Sequence, residues 1–149
     1  MNWTDLCKRC EARLRDLPIP LPFDVATFAR WLADRRGRPI ALCPCTLPGG
    51  LHGATFAGLR EDVVFYHDRT TPLHRQHAII HELSHLLCEH TLTPQVGYTA
   101  ADEREAEVVT TLIMTRSLKT RTNAAVTDPH TARVLRVLDR LGGVADGDR

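Results

Sequence analysis

Hydrophobic positions recur at helical spacing toward both ends of the chain and gather in short strand-like runs in its middle. Trp3, Cys7, Cys10, Leu14 and Leu17 share one stripe, which predicts a helix from about Thr4 to Leu17 that Pro18, Pro20 and Pro22 bring to an end. Asp24 is suited to cap a second helix, with Phe23 and Phe28 spaced to clasp its first turn. Gly37 and Pro39 stop that helix. The runs Ile40–Cys43, Ala54–Ala57 and Val63–His67 then read as strands, parted by turn residues at Pro48-Gly49-Gly50 and Gly58–Asp62. A third helix is expected from about Pro72 to His90 and a fourth from Ala101 to about Leu118, joined by a loop that holds Pro94 and Gly97. Asp128-Pro129 should start a last helix and Gly142-Gly143 should stop it. Helices, a small sheet of about three strands, and helices again predict one α+β domain over residues 1–143, the sheet packed on a helical bundle. Residues 144–149 are expected to be a flexible tail.

Composition narrows the classes of function. With 149 residues, 43% of them hydrophobic, the chain can bury the core of an ordinary domain. Lys+Arg 19 against Asp+Glu 18 leaves a net charge of +1, which predicts no direct nucleic-acid partner and no membrane surface. No apolar run approaches the roughly 20 residues of a membrane span, and the N-terminus lacks the apolar segment of a signal peptide, so a cytoplasmic location is expected. Five cysteines, an odd number at short spacings, do not read as a disulfide framework. Seven of the eight histidines lie between His52 and His90. Candidate chemistry is therefore concentrated in the middle of the chain.

His81-Glu82-Leu83-Ser84-His85 matches H-E-x-x-H. Histidines four residues apart on a helix differ by about 40° around the axis and ~6 Å along it, so both imidazoles can reach one Zn²⁺ ion. Ile79, Ile80, Leu83, Leu86 and Leu87 form an apolar arc whose centre lies roughly opposite this pair. Glu82 sits beside the histidines, placed to serve as a general base without ligating the metal. A catalytic zinc takes three protein ligands, and the carboxylates Glu103, Glu105 and Glu107 are the candidates for the third. On the wheel of the fourth helix Val108, Val109 and Leu112 define the core face. Glu105 falls inside that arc, while Glu103 and Glu107 project toward solvent. A carboxylate aimed into a core needs a partner, either a metal or a buried arginine, and the metal-ligand reading is preferred for Glu105.

The two motifs, His81-Glu82-Leu83-Ser84-His85 and Glu105-Ala106-Glu107, together with the upstream strand Val63–Asp68, resemble the ImmA/IrrE family of zinc metallopeptidases over roughly Ile40 to Leu118. The resemblance implies an intracellular endopeptidase in which His81, His85 and Glu105 hold Zn²⁺ and Glu82 is the catalytic base. It also implies a protein substrate such as a helix-turn-helix repressor. This chain has Ser84 where the family usually has glycine, Val109 where it has phenylalanine, and Met114-Thr115 without the usual proline. Ser84 is expected to narrow the space beside the metal.

Tyr98, on the loop between the metal-binding helices, is a candidate donor to a developing oxyanion. His74 and His77 lie on or near the ligand face, and His52 and His67 are further polar candidates, all expected to be surface or supporting residues. Cys7, Cys10, Cys43 and Cys45 offer a second, structural zinc site, although Cys7 and Cys10 also belong to an apolar stripe. Two other functions stay open: a deformylase-like hydrolase with Cys43 or Cys45 as third ligand, and a metal-stabilised interaction module resembling one half of a toxin–antitoxin pair. Substrate is expected to lie extended along an exposed strand edge, either Ala54–Ala57 or Val63–His67.

Overall fold

A computed structural model of the chain describes residues 2–20, 23–93 and 97–126, the stretch from 120 onward as helix backbone. The expected last helix and tail lie outside the described residues. The fold is α+β: α1 (Trp3–Arg15), α2 (Val25–Arg36), β1 (Ile40–Cys45), β2 (Gly53–Ala57), β3 (Asp62–His67), α3 (Pro72–Leu87) and α4 (Ala100–Val126). No helix among the described residues is long and apolar enough to cross a membrane.

Local chemistry accounts for the helix starts. Asn2, Asp24 and Thr71 each accept a hydrogen bond from a backbone N–H of the first turn of α1, α2 and α3. Phe23 packs on Phe28 with ring centroids 5.7 Å apart, the expected clasp across the start of α2. Gly37 ends α2 in the left-handed conformation at φ 65°. In α1 the buried stripe is Leu6, Cys10 and Leu14; the helix is rotated from the expected register, and Trp3 is 63% exposed. The fourth helix is longer than expected because no glycine or proline follows Leu118 before Pro129.

The sheet order is β1-β3-β2, with β1 parallel to β3 and β2 antiparallel to it. The expected choice between two exposed edges is thereby resolved: β3 is central and paired on both sides, and β2 is the free edge on the site side. Asp62, nearly fully buried at the start of β3, is neutralised by Arg36 at 3.1 Å and Arg38 at 2.8 Å. Arg36 also donates to the carbonyl of Leu86 at 2.7 Å, tying the end of α2 to the last turn of α3. Phe28, Leu32, Val64, Ile80, Leu83, Val109 and Ile113 form the centre of the core between the sheet and the helices. Ser84 is buried in the α3–α4 interface, donating to the Ile80 carbonyl at 2.8 Å and lying 3.2 Å from Thr110 Oγ1. It therefore faces α4 and does not narrow the space beside the histidine pair.

Candidate metal centre

α3 carries His81 and His85 one turn apart, and their Nε2 atoms lie 3.2 Å from each other. Glu103 Oε2, from the first turn of α4, is 3.2 Å from His81 Nε2 and 3.6 Å from His85 Nε2. A tetrahedral ion with bonds of ~2 Å holds its ligand atoms about 3.3 Å apart, so this triangle of donors fits one. The three residues form a group that could hold a metal ion.

Glu105 is the expected third ligand, but its carboxylate lies away from the His81/His85 pair, and Glu103 is the carboxylate that approaches both imidazoles. Glu105 does point inward and is buried, but toward α1 and the end of α3: Oε2 is 3.0 Å from His90 Nε2, and Oε1 faces Arg9 at 3.4 Å and Arg13 at 3.6 Å. The reason is where the histidines sit on α3. They occupy its flank, so a carboxylate from α4 reaches them only from α4's own flank, and residues in its core-facing arc are directed elsewhere. Glu103 and Glu107 share that flank. Glu107 Oε2 lies 3.3 Å from His81 Nδ1, and Oε1 lies 3.4 Å from His77 Nε2.

Glu82 is buried against β2, where its side chain packs on Gly53. Thr55 donates to its Oε2 at 2.6 Å. Burial pushes the Glu82 carboxyl above its ordinary range, and the Thr55 hydrogen bond and the charge of His81 only partly oppose this. His85 is held neutral: desolvation, with help from His81 and His90, brings it down to about 3. An imidazole that resists protonation keeps a lone pair free for a metal.

A cleft of about 600 Å³ is lined among others by His52, Gly53, His77, His81, Glu82 and Glu103. The end of β2 thus forms part of its wall. His74 also lines it, whereas His67 turns away to accept from the backbone N–H of Arg69 at 3.1 Å. Tyr98 stacks on His85 with ring centroids 3.6 Å apart and planes within 8°. Burial, with a contribution from Glu82, pushes its phenol up to about 12, so it stays a donor. This stacking, together with His90, explains why His85 is buried although the arc of α3 on which it lies is not the core arc.

All five cysteines are free thiols. Among the described residues the second group of ligand-type atoms is Cys88, His90 and Glu105; none of Cys7, Cys10, Cys43 and Cys45 belongs to either group. The deformylase-like arrangement and the four-cysteine site therefore gain no geometric support. The sequence offers Glu103 as a candidate, but the helical wheel turns it toward solvent, and it gives no reason to single out Thr55. His90 leaves a signal, lying five residues beyond His85 in a histidine-rich segment.

No family model, curated protein or solved structure matches this chain.

Proposed function

We propose that the chain is a zinc-dependent peptidase resembling the ImmA/IrrE metallopeptidases, with His81, His85 and Glu103 as metal ligands and Glu82 as general base. The observation that carries this reading is the 3.2–3.6 Å triangle of Nε2, Nε2 and Oε2 atoms, of which His81 and Glu103 line an open cleft together with the buried Glu82. A zinc ion there would polarise a peptide carbonyl and acidify a water molecule. Glu82 would accept a proton on its carboxylate and return it to the leaving amine, and its upward-shifted affinity for protons suits both steps. Thr55 would hold Oε2, leaving Oε1 for the exchange. Tyr98, by its phenol O–H, is the candidate donor to charge developing on the substrate oxygen. An extended peptide would pair with the free edge of β2, which leads into the cleft at Gly53. A helix-turn-helix repressor, in the cytoplasm, is the substrate class the resemblance suggests.

Zinc content measured after loading and desalting tests the ligand set. Near one equivalent is expected for the wild-type chain. Glu103→Ala should lose more than about 100-fold in affinity, exceeding the loss usual for an outer residue, with Glu107→Ala affected much less. Incubation with a helix-turn-helix repressor that is a substrate should give site-specific fragments that depend on zinc and vanish in Glu82→Gln, which still binds the metal. Equal zinc binding by Glu103→Ala, or cleavage by Glu82→Gln, would overturn the assignment.

A further inference from the structure

The chain leaves α3 through a turn closed by two backbone hydrogen bonds, His90 N–H to the His85 carbonyl at 3.0 Å and Glu89 N–H to the Leu86 carbonyl at 3.2 Å. The left-handed position of this turn is usually glycine. Here it is Glu89, at φ 59°. The turn folds the His90 ring back onto His85, with their Nδ1 atoms 3.0 Å apart. On its far side His90 Nε2 lies 3.0 Å from Glu105 Oε2. Asp102 Oδ1 is more distant at 3.7 Å, and the Asp102 carboxylate is already engaged by the Thr99 N–H and hydroxyl. The side chains of His85, His90 and Glu105 are 1%, 5% and 10% exposed, so water does not compete freely for these bonds.

Donor and acceptor roles follow along this line. A carboxylate only accepts, so His90 Nε2 must carry the proton it shares with Glu105. Arg9 and Arg13 already offset the Glu105 charge, and a His90 that carries its one proton at Nε2 offers the Nδ1 lone pair, which makes His85 Nδ1 the donor. The remaining lone pair of His85 is at Nε2, on the side of His81 Nε2 and Glu103 Oε2. Arg9 and Arg13, both from α1, occupy the Oε1 side of Glu105 and turn its Oε2 toward His90.

We propose that Glu105 and His90 are positioning residues, a relay from α4 that fixes His85 as its Nδ1–H tautomer and aims the Nε2 lone pair at the metal position. The inference deepens the reading of His81, His85 and Glu103 as a metal centre and rests on it for its consequence, though the tautomer pattern itself needs no metal. The relay gives the buried Glu105 carboxylate a role other than the metal ligand expected from the sequence. The same atoms, with Cys88, form the second group of ligand-type atoms, but two guanidinium cations beside Glu105 oppose a cation there.

Nitrogen-15 NMR of the histidine rings in the metal-free full chain at neutral pH tests the relay directly. The expected result is His85 protonated at Nδ1 and His90 at Nε2, with both patterns becoming mixtures in Glu105→Ala. Zinc affinity, read by competition with a chelating dye, should fall about 10- to 100-fold in Glu105→Ala and in His90→Phe. His90→Asn, whose amide oxygen can accept from His85 Nδ1, should recover most of the loss. His85 protonated at Nε2 in the wild-type chain would overturn the relay even if the variants fail to fold. So would unchanged zinc affinity in a folded Glu105→Ala. A second zinc equivalent, lost in Cys88→Ser, would also overturn it by making His90 and Glu105 ligands. A chain with the expected tautomers that binds no zinc would support the relay and overturn the metal centre.

Discussion

Gly53 and Glu82 touch so closely that a Cβ added to Gly53 would stand 2.9 Å from Glu82 Cγ and 3.1 Å from its Oε1. The edge strand and the proposed general base are therefore packed backbone against side chain, and the absence of a side chain at residue 53 is what lets the carboxyl sit beneath β2. Gly53→Ala should leave the fold and zinc content near wild type, because Glu82 can swing aside. Cleavage should fall about 10- to 100-fold, since a displacement of ~1 Å at a catalytic group costs on that order. Turnover and metal content measured on the same preparation check this; full activity would show that Glu82 does not act from its present position.

Thr55 bears on the same carboxyl through its hydroxyl, 2.6 Å from Oε2. A donor to a carboxylate favours the charged form, so Thr55→Val should push the already raised Glu82 higher. A general base works only when deprotonated, and the acid limb of kcat/KM should therefore move to higher pH. A limb that stays in place or moves down would separate Glu82 from the titration that controls activity.

His85 makes the metal-free chain acid-sensitive. Its folded value of about 3 lies below the ordinary 6.5, so the unfolded chain binds an extra proton between those limits and stability falls as pH drops through that window. The slope should approach ~1.4 kcal/mol per pH unit. Glu82 acts in the opposite sense, being raised in the fold, and Glu82→Gln removes that contribution. Urea denaturation of metal-free Glu82→Gln at pH 7 and pH 5 should show the loss. Equal stability at both would mean that His85 titrates normally.

Glu89 holds a left-handed backbone, at φ 59°, without glycine's freedom. Glu89→Gly should stabilise the chain by about 1 kcal/mol, a rise of ~2–4 °C in Tm. No change in melting temperature would indicate that the Glu89 side chain recovers in the fold what its backbone loses.

Much of this protein is local and could be read along the chain. Asp24 with Phe23 and Phe28, Thr71 before Pro72, and Gly37 mark helix ends by interactions spanning three to five residues. The His81/His85 pair is local in the same way, because one helical turn brings the two imidazoles together whatever surrounds them. The third carboxylate is different. Glu103, Glu105 and Glu107 lie within five residues of one helix, and a wheel separates inward from outward without saying which neighbour each direction meets. That depends on how α4 lies across α3 and α1. With the histidines on the flank of α3, the half-exposed Glu103 reaches them, while the buried Glu105 meets Arg9, Arg13 and His90. Sheet order decided which strand is an edge for the same reason: pairing is non-local, and nothing in Val63–His67 says that strands lie on both its sides. Spacing along the chain determined which residues can do chemistry; the packing of helix on helix and strand on strand decided which of them meet.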